Sequence, residues 1–236
     1  MNPLGSDNAY YLDTGWVSSD STIELPNSSS IWIADKNTIG VNEPVKLTWT
    51  SDQNITFEKI ITLDENYLFS VDQRVINNSG LSFDLYPYGL SKRQGIPEMQ
   101  NFFILHEGPL SITDGVLEEY DYDDLKDDKK IKHSSVGGWI GMTDKYWQTA
   151  IIPNQNEPVQ QTYSYSFVDN IDNFQTDIVG ERIAVSNNAS ISHNFKIFAG
   201  PKIVNIIDKY MEEYGFDGFD RSVDFGWFYF LTKPIF

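Results

Sequence analysis

The sequence predicts a mainly β fold, a sandwich or a barrel, followed by a helical C-terminal segment. Short runs rich in β-branched and aromatic residues alternate with polar residues at a period near two and recur at fairly even spacing. Few helical stretches separate these runs, so the strand–helix rhythm of a doubly wound parallel sheet is missing. A period near 3.6 appears only after Gly200.

The composition fits one folded, acidic domain. The chain has 236 residues, of which 40% are hydrophobic and 14% aromatic, enough for a sizeable core. Its net charge of −17 excludes a nucleic-acid-binding surface and argues against docking on anionic lipid through a basic patch. Because cysteine is absent, disulfides, thiolate metal sites and Cys nucleophiles are excluded. No membrane-spanning run and no signal peptide are expected.

Clear strands begin near Val45. A further strand runs from Tyr67 through Val75, and the turn-forming residues Asn77–Gly80 follow it before alternation resumes at Leu81, Phe83 and Leu85. Since Asn and Gly tolerate the positive φ of hairpin loops, we predict a β-hairpin here. Other strands are predicted over 102–106, 139–142, 147–152, 160–168, 176–185 and 190–199.

An amphipathic helix is predicted after Pro201, with Gly215 as its C-cap. Its apolar side chains recur at i, i+3, i+4, i+7 and i+11, and they form a candidate docking face made of Ile203, Ile206, Ile207, Tyr210 and Tyr214. We favour a helix that packs this face on the sandwich. The alternative is a helix that docks a partner.

The last twelve residues, FGWFYFLTKPIF, contain eight large apolar side chains. The segment is too short to span a bilayer, and Trp, Tyr and a snorkelling Lys favour the headgroup boundary. The candidate membrane-interface residues are Trp227, Phe228, Tyr229, Phe230, Leu231 and Lys233. The alternative is that these aromatic residues close one end of the core.

No catalytic, cofactor-binding or metal site is predicted. The acidic stretch 118–128 places Leu125 at the fifth position from Asp121, with no Gly after it, so it fails the EF-hand pattern and is interpreted as a charged, solvated loop. His106, His133 and His193 form no zinc-binding pair and are interpreted as surface or packing residues. Nucleophile-elbow and phosphate-loop motifs are missing.

Five strings carry a family resemblance. In chain order they are YPYGLSKRQGIPEMQNFFILHEGPL (86–110), EEYDYDDL (118–125), GGWIGMTDKYWQTAIIP (137–153), FAGPK (198–202) and FGWFYFLTKPIF (225–236). Together they resemble the large periplasmic domain of the YidC membrane protein insertase family, in an α-proteobacterial-like form. The resemblance runs from Thr14 to Phe236. We therefore divide the chain into a tail or vector-derived segment (1–13), a β-sandwich (14–200) and a C-terminal helical segment leading toward the membrane (201–236).

The resemblance implies a super-β-sandwich, similar to galactose mutarotases, followed by C-terminal amphipathic helices. It also implies a non-catalytic domain on the periplasmic side of the bacterial inner membrane. The whole insertase would insert and fold nascent inner-membrane proteins, alone or with the Sec translocon. Implied partners are Sec components including SecDF, and the bilayer interface through the C-terminal segment. The sandwich would be largely dispensable and the helical part more important, and the excised domain would be monomeric.

A rival hypothesis is a sandwich that binds a sugar or an extended peptide, or a mutarotase-like epimerase. Epimerisation requires a His acid and a carboxylate base around the anomeric carbon. We match no such pair to the three histidines.

Overall fold

The computed structural model describes residues 1–97 and 106–223. Two antiparallel β-sheets pack face to face, and a helix covers the outer face of the larger sheet. The strands are β1 Tyr10–Val17, β2 Ile33–Ala34, β3 Val45–Thr50, β4 Ile55–Leu63, β5 Leu68–Asn77, β6 Phe83–Gln94, β7 Gly108–Thr113, β8 Val116–Glu119, β9 Lys130–Val136, β10 Trp139–Thr143, β11 Trp147–Ile152, β12 Pro158–Val168, β13 Ile171–Gly180, β14 Ile183–Val185 and β15 Ser190–Pro201. The helices are α1 Tyr122–Asp128, α2 Val204–Tyr214 and a 3₁₀ turn Phe219–Ser222. The predicted mainly β sandwich is confirmed.

The smaller sheet has the strand order β1-β6-β13-β12-β9, with β14 paired to β6, and the larger one has the order β2-β3-β4-β5-β15-β11-β10-β7-β8. Along β6, buried residues alternate with half-buried ones, as expected of a strand with one face toward a core. By contrast, all five residues of β10 are buried, because this central strand is covered on both faces. The six-stranded sheet covers one face and α2 covers the other.

Three apolar clusters hold these layers together. Two of them lie between the sheets, one around Tyr163 and Phe174 and the other around Trp16 and Phe57. The third lies under α2, on the outer face of the nine-stranded sheet. Because the cluster under α2 shares the central strands β10, β11 and β15 with the cluster around Tyr163 and Phe174, the position of α2 is tied to the packing of the sandwich.

The predicted hairpin between β5 and β6 is wrong. β5 pairs with β4 and β15 in the larger sheet, whereas β6 pairs with β1 and β13 in the smaller one. The connecting residues carry the chain from one sheet to the other, and the buried Asn77 side chain fixes this crossover by donating to the carbonyl oxygens of Leu81 and Ser186. Turn-forming residues suit a crossover as well as a hairpin, and the alternating pattern does not identify strand partners.

The acidic stretch is also not a simple loop. It contains β8 and α1, and the α1 side chains Tyr122 and Leu125 are buried between the sheets. The acidic side chains lie on the exposed positions of this short helix. The i, i+3 spacing of the two buried residues is the helical signal that the density of carboxylates obscured.

Other predicted boundaries differ in detail. The predicted strand 176–185 is divided into β13 and β14, and the predicted strand 102–106 lies outside the described residues except for His106. β1 begins inside the segment predicted as a tail, because Tyr10 is buried and exchanges backbone hydrogen bonds with Asn2. The three-part division of the chain stays a prediction.

Candidate functional site

Helix α2 is attached to the nine-stranded sheet through part of the predicted face. Ile207 and Tyr210 are buried, and Ile206 packs at the edge of the same cluster. Ile203 forms the N-cap and is 45% exposed, while Tyr214 is 40% exposed at the last turn. The structure therefore brings the middle of the stripe into the core and leaves its two ends at the surface.

A polar contact fixes the register of α2 on the sheet. The Tyr210 hydroxyl donates to Oδ2 of Asp64, in the turn before β5, over 2.5 Å. Burial, followed by this contact with a carboxylate, raises the pKa of Tyr210. The helix ends as predicted at Gly215, which adopts the left-handed conformation and donates its N–H to the Met211 carbonyl oxygen.

The chain after α2 also contacts the sheet. The Trp139 indole N–H donates to the carbonyl oxygen of Asp217, and the Asp217 N–H donates to Oε1 of Gln155, both over 3.1 Å. The Phe219 ring lies edge-on to Phe198 with their centroids 5.5 Å apart. The segment from Val204 to Val223, which we call the docked C-terminal segment, is therefore part of the folded domain.

The glycines of the GGWIGM string shape the sheet surface beneath this segment. Gly137 and Gly138 have φ angles of 66° and 71°, a backbone conformation that residues with a side chain rarely adopt. A Cβ on Gly138 would lie 2.1 Å from the carbonyl oxygen of Ile112. This tight turn starts β10 at Trp139, whose buried ring forms the floor under the docked C-terminal segment.

The predicted membrane-interface residues, Trp227 to Lys233, lie outside the described residues. Their role stays a prediction, and so does a partner-docking role for the α2 face.

A second candidate region is the cleft between the sheets near β1 and β4. Lys59 lies between two cavities of about 560 and 810 Å³, and its ammonium contacts the carbonyl oxygen of Thr14. Nζ is 3.5 Å from Oδ1 of Asp13 and 5.2 Å from the ring centroid of Trp32. Burial lowers the pKa of Lys59, and the Asp13 carboxylate partly offsets this effect.

The smaller cavity is aromatic on several sides and polar at its base. Trp16, Trp32 and Tyr88 contribute aromatic walls, while the buried Gln73 amide makes no hydrogen bond among the described residues. The Tyr88 hydroxyl donates to Oδ2 of Asp13 over 2.9 Å. The arrangement offers hydrogen-bonding groups beside flat apolar surfaces, but it places no acid–base pair around a common point.

One histidine–carboxylate pair is not predicted from the sequence. Nε2 of His193 lies 3.0 Å from both carboxylate oxygens of Glu157, and the two residues join β15 to the segment that precedes β12. Trp16 and Phe195 surround the imidazole. Because the two residues are 36 positions apart, no local spacing reveals them. Neither is among the described side chains that line the two cavities, so the pair acts as a buried inter-sheet contact.

Within 1–97 and 106–223, no three His, Cys, Asp or Glu side chains converge into a metal-binding group. Among the helices of those same residues, none is long and apolar enough to cross a membrane.

Comparison with known proteins gives a consistent result. The model of the YidC periplasmic domain family matches residues 1–236. Proteins named membrane protein insertase YidC from Rickettsia canadensis and Rickettsia bellii are each 39% identical over 237 residues, which cover 100% of this chain and 42% of theirs. The chain thus spans less than half the length of these relatives.

Among solved structures, this chain is similar to a galactose mutarotase related enzyme from Lactobacillus acidophilus. It has a TM-score of 0.49 and 10% identity over 73% of each chain. A galactose mutarotase-like protein from Lactobacillus casei has a TM-score of 0.49 and 11% identity over 71% of this chain and 72% of its own.

Proposed function

The chain belongs to the YidC periplasmic domain family, and from this membership we propose that it is a non-catalytic accessory domain of a membrane protein insertase. The domain would lie on the periplasmic side of the bacterial inner membrane. The family match over residues 1–236 is the observation that carries this proposal. The names of the relatives, which are membrane protein insertases, support it.

The mechanical part of the proposal rests on the docked C-terminal segment. Val204–Val223 is joined to the nine-stranded sheet through the cluster under α2 and through backbone contacts to Asp217. Because this segment is held against the sheet, the chain that continues from it exits the domain at a fixed point and in a fixed direction. The sandwich would therefore serve as a rigid mount for the chain that follows Val223, which includes the candidate interface residues from Trp227 to Lys233.

The whole insertase would act on nascent inner-membrane proteins, alone or together with the Sec translocon. SecDF would be one partner of this domain. The insertase would move its substrates through segments other than this one, so the domain would contribute positioning and contact rather than chemistry.

Sugar or peptide binding, or epimerase activity, is the less favoured function. An epimerase needs an acid and a base that both reach one ligand atom. The histidine–carboxylate pair is packed among aromatic rings, with His193 side-chain exposure of only 7%. The cleft contains polar and aromatic groups, yet the insertase names of the relatives give no support to a sugar substrate.

A chimera tests the proposal. This chain replaces the matching 42% of the Rickettsia canadensis insertase, and membrane insertion is measured in cells depleted of their own insertase. We expect the chimera to support insertion. Deletion of 14–200 should lower insertion, because α2 loses the sheet on which it docks, and deletion of 201–236 should lower insertion further. The unmodified relative is the control. Equal tolerance of both deletions would contradict the proposed accessory role.

A further inference from the structure

An exposed aromatic cluster lies where α2 begins. Tyr67, Tyr146, Trp147 and Ile203, which we call the aromatic patch, are 42, 66, 54 and 45% exposed. They are neighbours because Trp147 pairs with Pro201 in the β11–β15 ladder and the N–H of Lys202 donates to the carbonyl oxygen of Tyr146. Large apolar side chains exposed singly are ordinary, but a cluster marks an interaction site.

The aromatic patch is held in place by the backbone beneath it. Tyr67 has a φ of 72°, a conformation that is uncommon for a bulky side chain and persists only where the surroundings enforce it. Its ring lies over Gly200, where an added Cβ would be 2.6 Å from the Tyr67 Cβ. The ring also meets Trp147 edge-on, with centroids 6.4 Å apart. The Tyr67 and Trp147 rings are therefore presented to the surface in fixed positions.

Charges around the aromatic patch are mixed. Nζ of Lys145 lies 5.1 Å from the ring centroid of Tyr146, and Nζ of Lys202 donates to the Thr143 hydroxyl. Asp144, in the same turn, is bound by both terminal nitrogens of Arg93 at 2.6 and 2.8 Å. Glu65 precedes the Tyr67 turn. Trp and Tyr together with Lys are the residues that settle at the boundary between lipid headgroups and acyl chains.

We infer that the aromatic patch contacts the headgroup region of the bilayer. This inference rests on the proposed function, which places the domain beside the inner membrane. A standard protein interface takes about 20–30 residues from each side, whereas the aromatic patch offers four on a narrow turn. Rings that enter a headgroup layer need no complementary surface. Because Glu65 and the net charge of −17 oppose anionic lipid, the contact depends on the rings rather than on attraction between charges.

The geometry allows the aromatic patch and the predicted membrane-interface residues to contact the same bilayer. α2 leads away from the aromatic patch for 11 residues, about 16 Å, toward the end of the sheet where Arg221 donates to the Gly115 carbonyl oxygen. Thirteen residues of this sequence follow Val223, and a fully extended chain of that length would reach at most about 47 Å. One bilayer surface is therefore within reach of both regions.

The absence of cysteine permits a specific test. In a chimera whose remaining segments have any cysteine replaced by serine, Tyr146→Cys and Leu81→Cys each accept one environment-sensitive fluorophore. Leu81 is 52% exposed in the β5–β6 connection, at the opposite end of the sandwich. The proteins are reconstituted into phosphatidylcholine vesicles that carry a quencher at headgroup depth. We expect quenching at position 146 at least about twofold stronger than at position 81, and Trp147→Ser to reduce it.

Equal quenching at the two positions overturns the inference. The inference is also overturned if the fluorophore at position 146 becomes shielded from water only after translocon proteins are added, because the contact would then be with protein. Insertion activity is measured in the same vesicles, and the quenching result is interpreted whether or not insertion occurs. Full insertion with equal quenching at the two positions would contradict this inference but not the proposed function. Stronger quenching at position 146 without insertion would contradict the proposed function but not this inference.

Discussion

Trp139 and Phe219 meet edge to face beneath the docked C-terminal segment, with ring centroids 5.5 Å apart and ring planes at 90°. Trp139 begins β10, and Phe219 begins the 3₁₀ turn after α2. Both are fully buried. This contact joins the C-terminal end of the described chain to the centre of the larger sheet, so it links the stability of the domain to the position of its C-terminal segment.

Phe219→Ala is therefore expected to lower the free energy of unfolding by about 3–5 kcal/mol, since it removes a buried ring and leaves a cavity. Urea unfolding followed by tryptophan fluorescence measures the loss. Phe167→Ala is the matched control, because this phenylalanine is 60% exposed at the end of β12. Its cost should stay below about 1 kcal/mol, and equal costs for the two variants would contradict the packing described.

Gly138→Ala should destabilise the domain strongly. The new methyl group meets the Ile112 carbonyl oxygen at 2.1 Å in a backbone conformation that already disfavours a side chain. The expected loss exceeds about 3 kcal/mol. Gly80→Ala separates the effect of the close contact from that of the backbone conformation. Gly80 has a φ of 84° but nothing within 4 Å of the point that a Cβ would occupy. Gly80→Ala should cost only about 1 kcal/mol, and a similar loss from both variants in urea unfolding would argue against the close contact.

Alkaline pH should destabilise the fold through buried tyrosines. Burial raises the pKa of Tyr10 and of Tyr163, so these phenols stay protonated in the folded chain while the unfolded chain loses their protons above about pH 10. The folded state then binds more protons, and stability falls as pH rises, by at most about 1.4 kcal/mol per pH unit for each tyrosine. Well below pH 10, both states keep these protons and the two tyrosines add no pH dependence.

Tyr163→Phe removes the contribution of one buried tyrosine. In unfolding experiments between pH 8 and 11, its free energy of unfolding should therefore fall less steeply with pH than that of the parent chain. Tyr146→Phe, at a position that is 66% exposed, is the control for loss of a hydroxyl group outside the core. Identical profiles for Tyr163→Phe and the parent chain would contradict the assigned effect of burial.

For the ion pair between Asp13 and Lys59 in the cleft, we predict different losses of stability when one partner or the other is replaced. Asp13→Asn leaves the Lys59 ammonium with little exposure and without its carboxylate, so it should be destabilising by about 1 kcal/mol, a modest value because Asp13 itself is 48% exposed. Lys59→Met removes the buried charge and should be nearly neutral. Thermal unfolding at pH 7 compares the two, and a greater loss from Lys59→Met would contradict this account of the cleft.

Local pattern was sufficient to predict α2 and most of the longer strands, but it did not predict β1, β2, β7, β8 or β9. The period of 3.6 after Pro201 and the left-handed Gly215 cap are read from neighbouring residues, and the helix occurs as Val204–Tyr214. Pairing is not a local property. The Asn77 region allows both a hairpin and a crossover between sheets, and only the partners of β5 and β6 distinguish them.

The same limit applies to the candidate sites. The apolar stripe contains the buried α2 residues Ile207 and Tyr210, but it also contains Ile203 and Tyr214, which the local pattern did not distinguish and which lie at the surface. The contact between His193 and Glu157 and the ion pair of the cleft join residues far apart in sequence, and no spacing rule foresees either. α1 was missed because two buried residues, Tyr122 and Leu125, are surrounded by carboxylates whose charge dominates the local composition.

The most direct test of the proposed mount is to undock α2 in the insertase chimera and measure the fraction of a labelled inner-membrane protein that becomes inserted. Ile207→Asp places a charge in the cluster under α2, while Ile60→Asp changes an isoleucine that is 38% exposed on β4. Hydrogen exchange of the α2 amides confirms undocking in the first variant. We predict that Ile207→Asp lowers insertion severalfold and that Ile60→Asp inserts like the parent chimera. Full insertion by Ile207→Asp with its helix undocked would contradict the claim that the docked C-terminal segment carries the contribution of this domain.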